Sequence, residues 1–449
     1  MISTMVLSGR QNKHADESNL FMLNRDTILK VIDQTLKEKS PFVMVQETIK
    51  SNPQIINKPG GIKLFALGKA SLPMTEGFCA YVDTCRIKDA LIISHQLDCY
   101  QSAFPDHFDL HYSPHPLSSS DSLNAAEKAI NFFKNVRTDD NLICLISGGG
   151  SSMMMKPIDG MAFETKKELI NKLIFEGIPE REVNEIRKSL SQVKGGKLLT
   201  YLPEMEVENI FLSDERLHKF DAISSGPTIK DHDHLADHVI EHYGLHKSPD
   251  NDWIDIALAG NKPALLTSKL VINNTICGTR SDIIDRLKDN FLKTNGVTDV
   301  MCEYNVIHSV SPEEACTIII EKFEDSFAKA NPGMHVLIIP AEIQVKADPK
   351  SKGGRNQHLT AMMMQRLDLE MPFSFIAYAT DGVDFIDGVV GAHFDKSLYP
   401  TIIKHKDAIN KAIATTSTYN LHEELGTLIR GKKTGHNISD LIIMTYEKL

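Results

Sequence analysis

Short runs of consecutive apolar residues recur along the chain, and each is followed by glycine or polar turn residues. Runs without alternation indicate strands covered on both faces, as in a parallel sheet with helices on either side. The runs that we predict to be strands are Lys63–Leu67, Ala90–Ser94, Leu142–Ile146, Asn209–Leu212, Val336–Ile339 and Phe373–Tyr378. Helical spacing predicts intervening helices at Asp121–Lys134 and Lys166–Phe175. This alternation predicts doubly wound α/β layers.

The length of the chain favours two domains over one. Hydrophobic cores stop growing at roughly 250–300 residues, and the chain has 449 residues, of which 42% are hydrophobic. Residues 231–262 are rich in Asp, His and Asn and show no strand pattern. We therefore expect the domain change between about Gly260 and Val310, and a flexible polar arm before residue 20.

Charge and cysteine usage limit the classes of partner. The net charge of −10 and the isoelectric point near 6.0 disfavour nucleic acid, which requires a cationic surface, but they allow a small anionic substrate at a local basic site. The seven cysteines are scattered without a CxxC pair, which fits reduced thiols in the cytoplasm. No apolar run reaches the ~18 residues of a membrane span, and no secretory signal is evident.

Two turns in the first half of the chain carry candidate chemistry, because ligands of open α/β sheets bind beyond the carboxyl ends of the strands. Lys69 follows the first predicted strand, where backbone N–H groups and an ammonium suit an anionic oxygen, although a lysine in a tight surface turn explains the same residues. Residues 147–152 read Ser-Gly-Gly-Gly-Ser-Ser after a buried strand. Glycines there let backbone N–H groups approach a phosphate or carboxylate, and we prefer this interpretation to a merely flexible connection.

Two further segments of the first half allow a structural and a functional interpretation. Helical spacing would place Arg187, Ser191 and Lys194 on one face that binds an anion, but a solvated helix ending at glycine explains the same residues. Asp214 follows a predicted strand, where a carboxylate can hold Mg²⁺, accept a proton or cap the next segment.

The second half of the chain also has polar turns that carry candidate binding or catalytic residues. Arg355 follows Gly-Gly at a helix start, which suits recognition of a phosphorylated anion as well as a solvated arginine. Asp381, Asp384 and Asp387 follow a predicted strand and are candidates for a hydrated Mg²⁺, although Asp-Gly is also common in turns. Residues 433–437, which include Thr434, form another polar turn beside a buried element.

The segment His238–His242 matches the inverted zincin pattern HxxEH. Gly244 interrupts the helix that would carry the histidines, and the surrounding sequence offers no further ligand. In a chain with 18 histidines, a chance match to this short pattern is unsurprising. We therefore do not favour a metalloprotease.

Taken together, the turns resemble those of the glycerate 2-kinase family, the type with a MOFRL carboxy-terminal domain. The matching segments, in the family's order from about Leu64 to Leu441, are GKAS at Gly68–Ser71, His115-Pro116, LISGGGSS at Leu145–Ser152, NEIRKSLSQVKGGKL at Asn184–Leu198, SD followed by SSGPT, GGRNQH at Gly353–His358, ATDGVD at Ala379–Asp384, GA at Gly391-Ala392, and TGHNISDL at Thr434–Leu441. Each motif is weak alone, but the ordered set is specific.

The resemblance implies an α/β fold with a Rossmann-like parallel-sheet domain at 21–270, a smaller mixed-sheet domain at 271–449 and an active site in the cleft between them. It also implies ATP and Mg²⁺ as cofactors and phosphorylation of D-glycerate at its 2-hydroxyl, with a homo-oligomer left open. Lys69 and Arg355 match the family's catalytic lysine and arginine, and we predict Asp214 as a third catalytic residue. The Ser147–Ser151 loop matches the family's glycine-rich binding loop. The residues that we predict to bind substrate or nucleotide are Ser147, Gly148, Gly149, Gly150, Ser151, Arg187, Lys194, Asn356, Asp381, Thr434 and Asn437, with Asp214 and Asp381 on the metal.

The chain departs from the family pattern in several turns. A Gly-Asp pair that usually precedes the SGPT motif is Leu217-His218, which removes a carboxylate, and GGE before the GGRNQ motif is Pro340-Ala341-Glu342. Changes in turns preserve a fold better than a reaction. Two alternatives to a glycerate kinase therefore stay open: a catalytically silent or repurposed protein that binds a ligand or partner, and a kinase for another small hydroxy acid.

Overall fold

The computed structural model describes residues 23–97, 104–115, 117–213, 219–230, 235–247, 252–262, 266, 269–308, 310–346, 350–436 and 438–449. The chain divides into two compact units. We call Ser40–Thr279 the parallel-sheet unit, and Arg280–Leu449 with the described residues up to Lys39 the mixed-sheet unit.

The α-helices, in chain order, are α1 (Arg25–Glu38), α2 (Pro41–Ser51), α3 (Ser71–Tyr81), α4 (Ser120–Lys134), α5 (Gly150–Met153), α6 (Phe163–Phe175), α7 (Glu180–Ser189), α8 (Ala236–His242), α9 (Trp253–Gly260), α10 (Arg280–Leu292), α11 (Pro312–Lys329), α12 (Arg355–Arg366), α13 (Tyr399–Lys404), α14 (Lys406–Ala414) and α15 (Tyr419–Glu424). Short 3₁₀ turns lie at Pro53–Ile55, Thr84–Arg86, Lys197–Tyr201, Ile223–Ser225, Leu245–Lys247 and Lys396–Leu398.

The strands are β1 (Ile62–Leu67), β2 (Ile87–Ser94), β3 (Phe108–Tyr112), β4 (Asn141–Ile146), β5 (Glu206–Ser213), β6 (Val271–Thr279), β7 (Val297–Cys302), β8 (Ile307–His308), β9 (Gly333–Glu342), β10 (Phe373–Tyr378), β11 (Val389–Asp395), β12 (Leu428–Arg430) and β13 (Asp440–Lys448). All six strands predicted from apolar runs are present, and most extend beyond the predicted bounds.

The parallel-sheet unit contains a six-stranded sheet in the order β3-β2-β1-β4-β5-β6, with every pair parallel. This is the strand order of the doubly wound dinucleotide-binding fold, so the prediction of a Rossmann-like parallel sheet is confirmed. Both faces are covered, and Phe65, Phe133 and Phe211 lie in its core. The order reverses between β1 and β4, which places the topological switch point at their carboxyl ends.

The mixed-sheet unit contains a sheet in the order β12-β11-β10-β13-β9-β7, with β8 also paired to β9. β7 and β8 run parallel to β9, and the other pairs are antiparallel, so the predicted mixed sheet is confirmed. Phe323, Phe375 and Tyr446 lie in a core that also contains the apolar side of α12. Antiparallel β10 and β13 bring the turns at their adjoining ends, after Tyr378 and before Asp440, to one edge of this sheet.

Helix α1 belongs to the mixed-sheet unit, which differs from the predicted boundaries at residues 21 and 270. Asn24 caps α1 by accepting from the N–H of Thr27, and the apolar face of the helix is buried. Glu38 at its end accepts hydrogen bonds from Arg286 and Asn290 of α10 (2.6 and 2.9 Å). An amphipathic pattern identifies a helix but not the core on which it packs, so the sequence alone did not place α1.

Among the described helices, none is long and apolar enough to cross a bilayer.

Candidate functional site

Two loops meet at the switch point of the parallel sheet, one after β1 and one after β4. The backbone N–H of Lys69 donates to the carbonyl of Gly148 (2.9 Å), and the N–H of Ala70 donates to the hydroxyl of Ser147 (3.0 Å). The two predicted turns therefore form one connected structure at the edge of the sheet where ligands of this fold bind.

Glycine is required where these two loops touch. Gly149 has φ +87°, and a Cβ there would lie 2.9 Å from Cγ of Lys69. Gly68 has φ +118°, and a Cβ there would lie 2.4 Å from the carbonyl oxygen of Ser147. The missing side chains allow the lysine stem to pass directly over the backbone of the glycine-rich loop.

The glycine-rich loop presents backbone donors beside a cation. Within the part of the chain that the structure describes, the N–H groups of Gly148 and Gly149 have no acceptor, and Lys69 has no ion-pair partner. Two successive unpaired N–H groups beside an ammonium are donors that can bind an anionic oxygen. This arrangement is chemically suited to a phosphate or a carboxylate.

The loop is held in shape by two serines in an unusual conformation. Ser224 and Ser225 have φ of 54° and 59°, a region in which each non-glycine residue costs about 1–3 kcal/mol. The Ser224 hydroxyl donates to the carbonyl of Ser147 (2.6 Å) and accepts from the N–H of Gly150 (3.0 Å). The hydroxyls of Ser225 and Ser151 are 2.7 Å apart. The glycine-rich loop is therefore a supported structure and not a flexible connection.

His115 lies beside Lys69 and is bonded through Nδ1 to the hydroxyl of Ser152 (2.9 Å). Burial, with further contributions from the charge of Lys69 and from His95, lowers the pKa of His115 to about 3. The imidazole is therefore neutral at pH 7 and leaves Lys69 as the cation at this position.

The prediction that Arg187, Ser191 and Lys194 share one helical face is wrong, because α7 ends at Ser189. Lys194 lies beyond the helix, is 1% exposed and donates through Nζ to the carbonyl of Ser151 (2.6 Å). Burial, with the neighbouring charge of Arg187, lowers the pKa of Lys194 to about 7. The lysine therefore braces the glycine-rich loop through its backbone.

Two other lysines cover the carboxyl end of α7, which carries Arg187. Lys166, fully buried, donates to the carbonyl of Leu190 (2.7 Å), and Lys197 donates to that of Lys188 (2.9 Å). Burial, with contributions from Lys194, Lys197 and Arg187, lowers the pKa of Lys166 well below its usual range. Donors on these carbonyls offset the negative partial charge of a helix terminus, which would otherwise oppose an anion nearby.

In the mixed-sheet unit, Arg355 at the start of α12 is oriented by Asp440 at the start of β13. The guanidinium donates from Nε to Oδ2 (2.5 Å) and from Nη2 to Oδ1 (2.9 Å). Arg355 is 40% exposed, whereas Asp440 is 4% exposed. Because a guanidinium has five N–H donors, the side-on pairing leaves three, including both on Nη1, for a ligand.

A second buried carboxylate, Asp384, fixes the first turn of α12. Its oxygens accept the backbone N–H groups of Asn356 and Gln357 (3.0 Å each). The Asn356 amide donates to Asp440 (2.9 Å) and to Asp384 (3.3 Å), so this predicted binding residue joins two carboxylates within the protein. The interpretation of Asp384 as part of a hydrated Mg²⁺ site is wrong, because its oxygens are occupied by the helix terminus.

The charges of this cluster are strongly coupled. Burial, with smaller contributions from the nearby Asp384 and Asp381, raises the pKa of Asp440 to about 6 against the opposing effect of Arg355. Burial acts to lower the pKa of Arg355, but the charge of Asp440 outweighs it and raises that pKa. Arg355 therefore remains protonated and stabilises the ionised form of Asp440.

Asp381 and Thr434 occupy neighbouring turns at the same edge of the mixed sheet. The N–H of Thr434 donates to the backbone carbonyl of Asp381 (3.1 Å), and Oδ1 of Asp381 accepts from the N–H of Val383 (3.1 Å). The described residues contain no cluster of three or more His, Cys, Asp or Glu side chains that could hold a metal ion. Among those residues Asp381 could therefore share a metal ion with at most one other such side chain.

Two predicted site residues, Asp214 and Asn437, lie outside the described residues, as does the divergent pair Leu217-His218. The residues that sequence reasoning did not assign to the site are Asp440, Ser224, Ser225 and His115. Each lies in a matched turn motif, so the motifs were the available signal. Their contacts depend on segments distant in the chain, which a pattern within one segment does not reveal.

Comparisons with known proteins agree with this architecture. The family model described as a domain of unknown function (DUF4147) matches residues 27–254, and that of the MOFRL family matches residues 335–440. The glycerate 2-kinase of Picrophilus torridus is 26% identical over 424 residues, which cover 94% of this chain and 96% of that protein. The D-glycerate 2-kinase of Thermotoga maritima is 25% identical over 434 residues, which cover 94% and 99%.

Two crystal structures share the fold. A glycerate kinase from Thermotoga maritima aligns with a TM-score of 0.74 at 22% identity and covers 94% of this chain and 98% of its own. A protein from Pyrococcus horikoshii OT3 aligns with a TM-score of 0.67 at 20% identity and covers 96% and 100%. At these identities the structural likeness establishes the fold.

Proposed function

We propose that this chain, which belongs to the DUF4147 family and ends in a MOFRL domain, is a glycerate 2-kinase. The reaction forms a bond between the 2-hydroxyl oxygen of D-glycerate and the γ-phosphorus of ATP and breaks the bond from that phosphorus to the β,γ-bridging oxygen. The hydroxyl proton is released, and the products are 2-phosphoglycerate and ADP. The observation that carries the proposal is the Lys69 ammonium beside the two unpaired N–H groups of the glycine-rich loop, in a chain whose named relatives include glycerate 2-kinases.

In this proposal Lys69 stabilises negative charge on substrate oxygens. Phosphoryl transfer proceeds through a loose transition state, so positioning and electrostatic stabilisation supply most of the catalysis. Lys69 acts as a point charge, and the N–H groups of Gly148 and Gly149 fix the direction in which the bound oxygens lie. Arg187, whose charge acts on Lys194, adds positive potential near the same loop.

Arg355 acts as the second cation. Its side-on pair with Asp440 holds the guanidinium in one orientation, and its remaining donors suit two oxygens of a phosphate group. Because Asp440 and Asn356 are bonded to each other, the orientation of Arg355 is tied to the start of α12. We assign Asp440 and Asn356 to positioning.

The family resemblance also implies Mg²⁺, which would neutralise charge on the nucleotide phosphates. Magnesium sites in kinases often use one or two carboxylates, with phosphates and water completing the coordination. Asp381 fits the role of one such ligand, because from the described residues its carboxylate accepts only the N–H of Val383 and its side chain is partly exposed. Asp214 stays the predicted second ligand.

The test is ATP turnover with D-glycerate and Mg²⁺, with the phosphorylated position of the product assigned by NMR. The native chain, Lys69→Ala and Arg355→Ala are compared. Because Arg355→Ala leaves the buried Asp440 without its cation, the double variant Arg355→Ala with Asp440→Asn separates loss of catalysis from loss of folding.

We expect 2-phosphoglycerate from the native chain and at least a hundredfold loss of turnover in each variant. A folded native chain without turnover on D-glycerate would reject this function. Retained ATP binding, or turnover on another hydroxy acid, would then favour one of the two alternatives.

A further inference from the structure

Phe385 combines an exposed aromatic ring with an unfavourable backbone conformation. Phe385 is 76% exposed, and its φ is +64°. The N–H of Ile386 donates to the carbonyl of Asp384 (2.8 Å), which closes a three-residue γ-turn around Phe385. A γ-turn with positive φ is rare and strained, most of all for a bulky residue.

The γ-turn is anchored to the start of α12. The carboxylate of Asp384 accepts the first N–H groups of that helix, and its carbonyl accepts from Nε2 of Gln357 (3.1 Å). The N–H of Asp384 donates to the carbonyl of Val389 (2.7 Å). Phe385 is thus held one residue from the carboxylate that fixes the helix bearing Arg355.

The ring contributes little to the packing of the described residues. An exposed side chain recovers little hydrophobic free energy, and glycine would adopt the same backbone without strain. Strained residues persist mainly at sites where a ligand or a conformational change makes use of them. A strained aromatic residue beside the Arg355 cluster therefore indicates a contact with a ligand.

We infer that Phe385 is a binding contact for the base of the nucleotide, an inference that rests on the proposed kinase function. Glycerate and phosphate groups are charged and offer almost no apolar surface to a phenyl ring. The base is the flat, largely apolar part of the two substrates, and any base can stack on an aromatic face. Arg355, at the start of the helix to which the γ-turn is anchored, supplies a cation for the phosphates.

The experiment separates the base from the phosphates. Binding of ATP and of inorganic tripolyphosphate, each with Mg²⁺, is measured by calorimetry for the native chain, Phe385→Gly and Phe385→Ala. Phe175→Ala serves as the control, because Phe175 is also an exposed aromatic residue (92%) but lies in the parallel-sheet unit at the end of α6. Thermal melting is recorded for every variant.

We expect Phe385→Gly to weaken ATP binding about tenfold, to leave tripolyphosphate binding unchanged and to raise Tm by about 2 °C, because the ring is lost and the strain is relieved. Phe385→Ala should weaken ATP binding equally without the gain in Tm, since alanine keeps the β-carbon. Phe175→Ala should bind both ligands as the native chain does.

Unchanged ATP binding in both Phe385 variants overturns the inference, and so does an equal loss of ATP and tripolyphosphate binding, which would indicate displacement of the Arg355 cluster. A native chain that binds ATP without phosphorylating glycerate rejects the proposed function but still tests Phe385. A native chain that binds no ATP overturns both.

Discussion

The two units present their candidate cations in opposite ways. Lys69 of the parallel-sheet unit lies over a glycine-rich backbone and has no ion-pair partner among the described residues. Arg355 of the mixed-sheet unit is held by two hydrogen bonds to a buried carboxylate. The parallel-sheet unit thus places an ammonium beside backbone N–H donors. The mixed-sheet unit places a planar guanidinium whose orientation is set by Asp440.

This difference follows from the chemistry of the two side chains. An ammonium is a point charge with rotatable donors, so its position matters more than its orientation. A guanidinium binds oxygens in pairs, so a neighbouring carboxylate that orients it is useful even though the carboxylate offsets part of its charge. We therefore expect the two cations to tolerate different substitutions.

The largest effects should come from exchanging the two kinds of cation. Lys69→Arg should lower kcat about a thousandfold, because the stem passes so close to Gly149 that a bulkier head cannot take the same position. Arg355→Lys should lower kcat about a hundredfold, because the paired donors are lost while the charge remains. Steady-state kinetics give both values, with Lys50→Arg on the exposed face of α2 as the control. Full activity in either variant would show that charge alone suffices there.

Removing the carboxylate that orients Arg355 should have a smaller effect. Asp440→Asn should lower kcat about tenfold, because the neutral amide holds the guanidinium more weakly. In the Arg355→Ala background the same substitution should change kcat little, since no guanidinium is left for Asp440 to orient. A double-mutant cycle measures this coupling. Equal effects of Asp440→Asn in both backgrounds would mean that Asp440 does not act through Arg355.

The close contact between Lys69 and the glycine-rich loop can be tested with a matched pair of glycines. Gly149 and Gly160 both have φ +87°, but a Cβ at Gly160 would meet nothing within 4 Å. Alanine at either position should lower the free energy of unfolding by about 1 kcal/mol because of its positive φ. Only Gly149→Ala should also lower kcat, several-fold, by displacing Lys69. Denaturation and kinetics on both variants check this, and an equal loss of kcat would contradict the contact.

A separate effect, on stability and not on kcat, concerns the buried lysine that braces the loop. The folded-state pKa of Lys194 is lowered to about 7 from the usual 10.5, so the unfolded chain binds more protons between these values. The free energy of unfolding should therefore rise as the pH is raised from 7 to 9, and this contribution should be absent in Lys194→Met. Urea denaturation of both proteins at both pH values measures the difference. Identical pH dependence would show that folding does not lower the pKa of Lys194.

The interior strands of the parallel sheet, β9 and β10 of the mixed sheet, and the loops after them were predictable because each depends on a local pattern, whereas β11 and β13 inside the mixed sheet were not predicted. β1, β4 and β10 are continuous apolar runs, since a strand covered on both faces has no polar side. β3 and β6 were not predicted. Both lie at an edge of the parallel sheet, where a strand is less covered and carries polar residues such as Asn273 and Asn274.

By itself, then, the sequence determined the α/β class, the interior strands of the parallel sheet, β9 and β10 of the mixed sheet, and the turns that carry Lys69, the glycine-rich loop and Arg355. Periodicity and glycine content are properties of a few consecutive residues, so they can be read without the fold. Tertiary structure alone decided that Asp440 orients Arg355, that Ser224 and Ser225 hold the glycine-rich loop, and that α1 packs with the mixed-sheet unit. These contacts join residues far apart in the chain, and their strength comes from burial, which arises only when the segments pack together.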